Sequence, residues 1–393
     1  MFRYLHFLLI VALSLFFIPE TVEGECNGIN PTDGENWVID ELTHCWDQEI
    51  NVQDIEVSDG GLRLENVTLT AHGKITISHP SIWEASTIVH NTSNNQDTIL
   101  LESQLTVKGT NLTINAPEGV YAGSDVEGIK LDLGSKLIIT DIDDNPLTKH
   151  DVSTISSMNW NVSDPFNGGL EIFSYGQDDG IILKNSVFHH IIQFKNHGDD
   201  VIITNNSFYN CSKLQQAWGD DLIFENNKIY NVTTDVGLRF WGQNASIKNN
   251  YFEDFNSTGT GGAIHILGDN AEVANNTFIS MVQANTVIGV YGDASNVTIV
   301  KNTVTESGNY AIALFGSGRN NTIAYNNLYN VPHGVWARGE MQETPRQAFW
   351  EIESAPVRHK PRTAIDVVDV IIEKFPDIDE RRFRHLNMRF VSG

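Results

Sequence analysis

Phe224-Glu225-Asn226-Asn227-Lys228-Ile229 returns as Ile247-Lys248-Asn249-Asn250-Tyr251-Phe252 and again as Val273-Ala274-Asn275-Asn276-Thr277-Phe278. In each run an Asn is bracketed by an apolar residue three places before it and another two places after. Extended outward, the bracketed Asns are Asn185, Asn206, Asn227, Asn250, Asn276, Asn302 and Asn326, at intervals of 21, 21, 23, 26, 26 and 24 residues. The apolar partners before them run from Ile182 and Ile203 to Ile323, and those after from Val187 and Phe208 to Leu328. A unit of this length cannot bury its own apolar face and must stack on its neighbours. The chain is therefore a solenoid, and function is to be sought on a long ridged surface.

Each unit carries a second apolar segment ending in Gly. Examples are Gly237-Leu238-Arg239-Phe240-Trp241-Gly242, Ala263-Ile264-His265-Ile266-Leu267-Gly268 and Ala311-Ile312-Ala313-Leu314-Phe315-Gly316. Their alternation has period two, as expected of short strands with one buried face. Leu238, Phe240, Ile264, Ile266, Ile288, Val290, Ile312 and Leu314 fall on the inward phase. Coils of two or three short strands, joined by Gly and Asn turns and stacked about 4.8 Å apart, make a parallel β-helix. The recurring Asn suits a tight bend whose amide pairs with the coils above and below. The first half repeats more loosely, as in Leu105–Ile114 and Leu131–Ile139. Residues 46–339 correspond to about twelve coils, a rod of about 55–60 Å.

The ends differ in character. Arg3 followed by the apolar run Tyr4–Ile18 reads as a secretory signal over residues 1–24. Residues 25–45 form an N-terminal cap in which Cys26 and Cys45 are expected to pair. No later segment is apolar for long enough to span a membrane. Residues 340–393 hold ten acidic and nine basic residues. Within them Ala364, Ile365, Val368, Ile371, Ile372 and Phe375 recur at helical spacing before Pro376. This segment reads as a partly helical C-terminal cap or tail. Twelve Asn-X-Ser/Thr sequons, at Asn66, Asn91, Asn111, Asn161, Asn205, Asn210, Asn231, Asn244, Asn256, Asn275, Asn296 and Asn320, add the expectation of a secreted or cell-surface glycoprotein. A net charge of −25 argues against nucleic acid as a partner.

With Asn205-Asn206-Ser207-Phe208 and the three runs quoted first, the chain resembles the right-handed parallel β-helix proteins with a pectin-lyase-like fold. It is especially similar to secreted archaeal and bacterial members with short Asn-Asn-x-apolar repeats. The resemblance implies an all-β solenoid and says little of activity, because the fold hosts lyases, hydrolases, epimerases, adhesins and structural rods. The Gly-His-Gly and Arg-Ile-Lys motifs of polygalacturonase-like hydrolases are absent, as is the Asp-Pro-His signature of uronate epimerases.

Two outward columns are candidates for function. The residue before each terminal Gly is His197, Trp218, Trp241, Leu267, Tyr291, Phe315 and Arg338 in turn, and two places earlier stand Lys195, Gln216, Arg239 and His265. Trp218, Trp241, Tyr291 and Phe315 are expected to form an exposed aromatic track for an extracellular polysaccharide or cell-surface glycan, with Lys195, Arg239 and His265 engaging its acidic groups. The same rings could instead pack under another protein segment. The second column is acidic: Asp178, Asp199 and Asp220 stack in consecutive turns, beside Asp179, Asp200 and Asp221. Stacked carboxylates could share Ca²⁺, serve as solvated turn residues, or split their pKa values for catalysis. Asp199, Asp200 and Arg239 are the catalytic candidates, for a lyase or hydrolase on an acidic glycan. No cofactor is required, and a purely structural or adhesive rod is the third class.

Overall fold

In the computed structural model, the structure describes residues 25–91, 99–115, 128–131, 136–140, 153–157, 170–174, 176, 180–211, 213–233, 237–256 and 262–337. The signal segment, Asp178, Asn161, Arg338 and the C-terminal segment lie outside them. The described residues form three long sheets of 13, 12 and 13 strands, with each coil adding one strand to each sheet. A representative coil runs from Ile223–Glu225 in the first sheet to Lys228–Thr233 in the second and Leu238–Phe240 in the third. Each strand pairs in parallel with its counterparts in the neighbouring coils. The chain is a right-handed parallel β-helix, the hand that parallel crossovers take.

The interior follows from the alternation. Phe208, Phe224, Ile229, Phe240, Ile247, Phe252, Val273 and Phe278 are all buried, each contributing about 1.5–3 kcal/mol relative to exposure. Aromatic neighbours stack inside the rod, Phe188 on Phe208 at 5.0 Å and Phe252 on Phe278 at 4.7 Å between centroids.

The repeated Asn closes the turn between the first and second sheets. The Asn227 backbone N–H donates to Asn250 Oδ1 at 2.8 Å, and Asn227 Nδ2 donates to the same oxygen at 3.1 Å. Asn250 Nδ2 donates in turn to Phe224 O and Asn276 Oδ1. The pattern continues through Asn276, Asn302 and Asn326, so every polar atom of these buried amides is used.

The first bracket in this series is displaced by one residue. Leu183 and Phe188, not Ile182 and Val187, are the buried pair, and Ser186 rather than Asn185 occupies the ladder position. Its N–H donates to Asn206 Oδ1 at 3.0 Å. Asn185 has φ 50°, matching Asn205, Asn226, Asn249 and Asn275 in the left-handed position just before the ladder. Either residue of an Asn-Asn pair satisfies the spacing, but only pleat phase decides which amide is buried. In the earlier coils hydroxyls replace the amide: Val67 N–H donates to Ser86 Oγ, Ser86 N–H to Thr110 Oγ1 and Thr110 N–H to Ser153 Oγ.

At the N-terminal end Glu25–Asn27 lies antiparallel to Thr43–Trp46, with Cys26 opposite Cys45 and joined to it by a disulfide. This strand covers an edge of the first sheet that would otherwise offer unpaired backbone groups. Cys211 is buried outside the disulfide, in the inward column with Val232 and Phe255, its thiol donating to Tyr209 O. Among the described residues no helix is long and apolar enough to cross a membrane.

Candidate functional site

Several later strands of the third sheet are followed by a Gly where the coil below occupies the place of a Cβ. A Cβ on Gly219, Gly242 or Gly268 would collide with the carbonyl of Gly198, Gly219 or Gly242 respectively. That tight approach aligns the preceding residue of every coil. The N–H of Trp218, Trp241, Leu267, Tyr291 and Phe315 each donates to the coil before it, at 2.7–2.9 Å. Phe240 is buried while its neighbour Trp241 is half-buried, and Trp218, Tyr291 and Phe315 are likewise half-buried.

Ring planes divide this column into two blocks. His197, Trp218 and Trp241 form one, with successive centroids 4.5 Å apart and planes within 4°. Lys195 Nζ lies 5.7 Å from the Trp218 centroid and Arg239 Cζ 5.3 Å from that of Trp241. At 4.5 Å the inner ring faces are closed to any ligand, so the stack presents its edges and its ends. Among the described residues Arg239 forms no ion pair with a carboxylate; the ion pairs there involve His44, Arg63, His79 and Lys248.

Leu267 interrupts the stack, and beyond it the rings bend over the sheet. Tyr291 folds down over Gly289, where a Cβ would lie 2.5 Å from its Cε2. Its centroid is 4.4 Å from that of His265, and its hydroxyl is 3.2 Å from His265 Nε2. His265, expected on the open column, is therefore buried beneath Tyr291, with 7% of its surface exposed. Burial, with a smaller push from the Arg239 charge, depresses its pKa to about 3. Burial raises the Tyr291 phenol to about 12, against opposing effects of Thr286 and Arg239. Both groups are neutral at pH 7. Phe315 stacks on Tyr291 at 4.6 Å and meets Tyr310 and Trp336, completing a second block in which His333 stacks on Tyr310.

The acidic turns sit at the next corner. Asp199 Oδ1 accepts the Asp220 backbone N–H at 2.7 Å, and Asp220 Oδ1 accepts that of Gln243 at 2.6 Å. Asp269 does the same for Ser295. Asp200 and Asp221 have φ 56° and 61°, in a left-handed column continued by Asn244, Asn270, Asn296 and Asn320. Asn244 Nδ2 donates to Asp221 Oδ1 at 3.0 Å. These carboxylates hold successive turns together, and among the described residues no ion pair or hydrogen bond joins them to Arg239. Among the described residues no three His, Cys, Asp or Glu side chains gather as a metal-holding group.

Eight sequon residues (Asn66, Asn205, Asn210, Asn231, Asn244, Asn275, Asn296 and Asn320) have positive φ. The corners favour Asn for its tolerance of that conformation, which itself multiplies sequons. A second outward ring column was not singled out in the sequence: His189, Tyr209 and Tyr230 stack along the second sheet at 5.1 and 5.0 Å. Its signal was a ring three residues after each ladder position.

A family model described as "Right handed beta helix region" matches residues 190–344. Among solved structures the chain is similar to the periplasmic alginate epimerase AlgG, at 15% identity and a TM-score of 0.45, over 80% of this chain and 79% of that one. It is also similar to the Bacteriophage CBA120 tailspike protein 3, at 10% identity and a TM-score of 0.36, over 80% of this chain and 55% of that one. Both likenesses are of fold. No curated protein matches the chain.

Proposed function

We propose that this protein acts outside the cell by binding an acidic polysaccharide, and that the block His197–Trp218–Trp241 with Lys195 and Arg239 is the contact surface. The observation that carries this reading is Arg239, set over Trp241 and in no ion pair with a carboxylate among the described residues, on a chain of net charge −25. An acidic surface repels polyanions everywhere except where cations are left for them. A guanidinium can grip a carboxylate or sulfate through two parallel hydrogen bonds. The edges of the adjoining indoles supply apolar area and N–H donors beside it.

Binding is favoured over catalysis because His265 and Tyr291, the two groups whose titration feels the Arg239 charge, do not exchange protons near neutral pH. His265 is too acidic when protonated and Tyr291 too weak an acid for general acid–base work near pH 7. Among the described residues no sequon falls on a strand of the third sheet.

The test is retention on a panel of acidic and neutral polysaccharides by wild type and Arg239→Met at several salt concentrations. Retention on acidic polymers alone, weakened by salt and lost in Arg239→Met, supports the reading. Equal retention by the variant, or none by wild type on any polymer, overturns it.

A further inference from the structure

We infer that the second ring block, Tyr291, Phe315, Tyr310 and Trp336, is the seat of the protein's own segment 363–375. The two blocks differ chemically. The first carries Lys195 and Arg239, whereas the second is a cluster of aromatic rings on the last coils, stacked, tilted and edge-on to one another, with the His333 imidazole stacked on Tyr310. Phe315 and Trp336 are 5.0 Å apart and Tyr310 and Trp336 5.1 Å, so the cluster has no opening for a sugar or a cation between its rings. It rests on the small outward residues Gly289 and Ala313, which lie in one register column. A half-buried apolar patch of this kind on a rod marks a contact surface.

The occupant is indicated by where the chain goes. The strand His333–Ala337 pairs on one side with Tyr310–Leu314 and is the last of its sheet, and it carries Trp336. The chain continues from Ala337 for 56 residues. Terminal coils of solenoids require covering, and exposed strand edges invite association with other chains. Within the continuation, Ala364, Ile365, Val368, Ile371, Ile372 and Phe375 recur on one helical face, while Asp366, Asp369, Glu373 and Lys374 fall elsewhere. An apolar stripe flanked by charged residues matches an aromatic ring surface. About 25 residues separate Ala337 from that stripe, ample reach for it to fold back.

A photo-reactive benzoylphenylalanine in place of Phe315 in the full chain tests this without reference to any glycan. The expected product is an intramolecular cross-link to a peptide within 363–375, with a yield about tenfold lower when Ile371→Asp and Ile372→Asp are combined. A circular-dichroism check that the charged variant keeps its β signal separates lost docking from lost fold. Cross-links to another segment or to a second copy, no cross-link at all, or a yield indifferent to the two charges would each overturn the inference. Because the readout is covalent and internal, its failure leaves the polysaccharide reading untouched, and the reverse holds too.

Discussion

Trp218 and Trp241 lie face to face, their ring centroids 4.5 Å apart and their planes 4° from parallel. The coil spacing imposes that distance, so the stack follows from the backbone as much as from the rings. Replacing both by Ala is expected to abolish retention on acidic polysaccharides. The stacking itself is worth only about 0.5–1.5 kcal/mol beyond the area the rings bury, so the fold should survive the loss. Binding and urea midpoints measured on the same preparations check this. Unfolding of the double variant would show that the rings serve packing alone.

The amide ladder should be far less forgiving. Asn250→Ala removes the acceptor of the Asn227 N–H and the donor to Phe224 O, leaving buried groups unpaired on both sides. A loss of about 3 kcal/mol or more is expected. Urea denaturation of the variant measures it, and a loss below that of a surface substitution would contradict the ladder's role.

His265 makes the fold sensitive to acid. Its folded pKa of about 3 lies below the ordinary 6.5 of an unfolded chain. Between those values the unfolded chain binds the extra proton, so stability falls as pH drops from about 6.5 toward 3. The contribution is about 3 kcal/mol by pH 4, at about 1.4 kcal/mol per pH unit. His265→Gln should flatten the stability–pH profile in that window relative to wild type. Parallel slopes for the two proteins would exclude the buried imidazole as the cause.

Gly289 admits the Tyr291 ring, and Gly289→Ala should displace it. A Cβ there stands 2.5 Å from Tyr291 Cε2 and 3.0 Å from Cζ. With the ring lifted, His265 gains water and its pKa should rise toward the ordinary value. NMR titration of the His265 ring protons in wild type and variant reads this directly. An unchanged titration would mean that the ring finds another way over the methyl group.

Much of the architecture was legible because repetition exposes it. Phe224, Phe252 and Phe278 recur at a phase that only stacked coils can bury, and Phe240 beside Trp241 already marks an inside and an outside. The first bracket shows the limit. Asn185 and Asn206 satisfy one spacing, yet Ser186 fills the ladder, at a position where the hydroxyls of Ser86, Thr110 and Ser153 accept the backbone N–H that an asparagine amide accepts in later coils. Ser86, Thr110 and Ser153 were hidden for the same reason, behind insertions that break the interval.

By itself the sequence determined a coil, its interior and the identity of the outward columns, since those depend on local period and residue type. Only the tertiary structure decided how those columns meet. It turned Asp199 and Asp220 into acceptors for the next turn's backbone, closed the ring faces of Trp218 against Trp241, and drew Tyr291 down over Gly289 onto His265. The physical reason is that contacts between coils depend on register at about 4.8 Å, a distance that no single repeat encodes and that appears only when one coil is laid on the next.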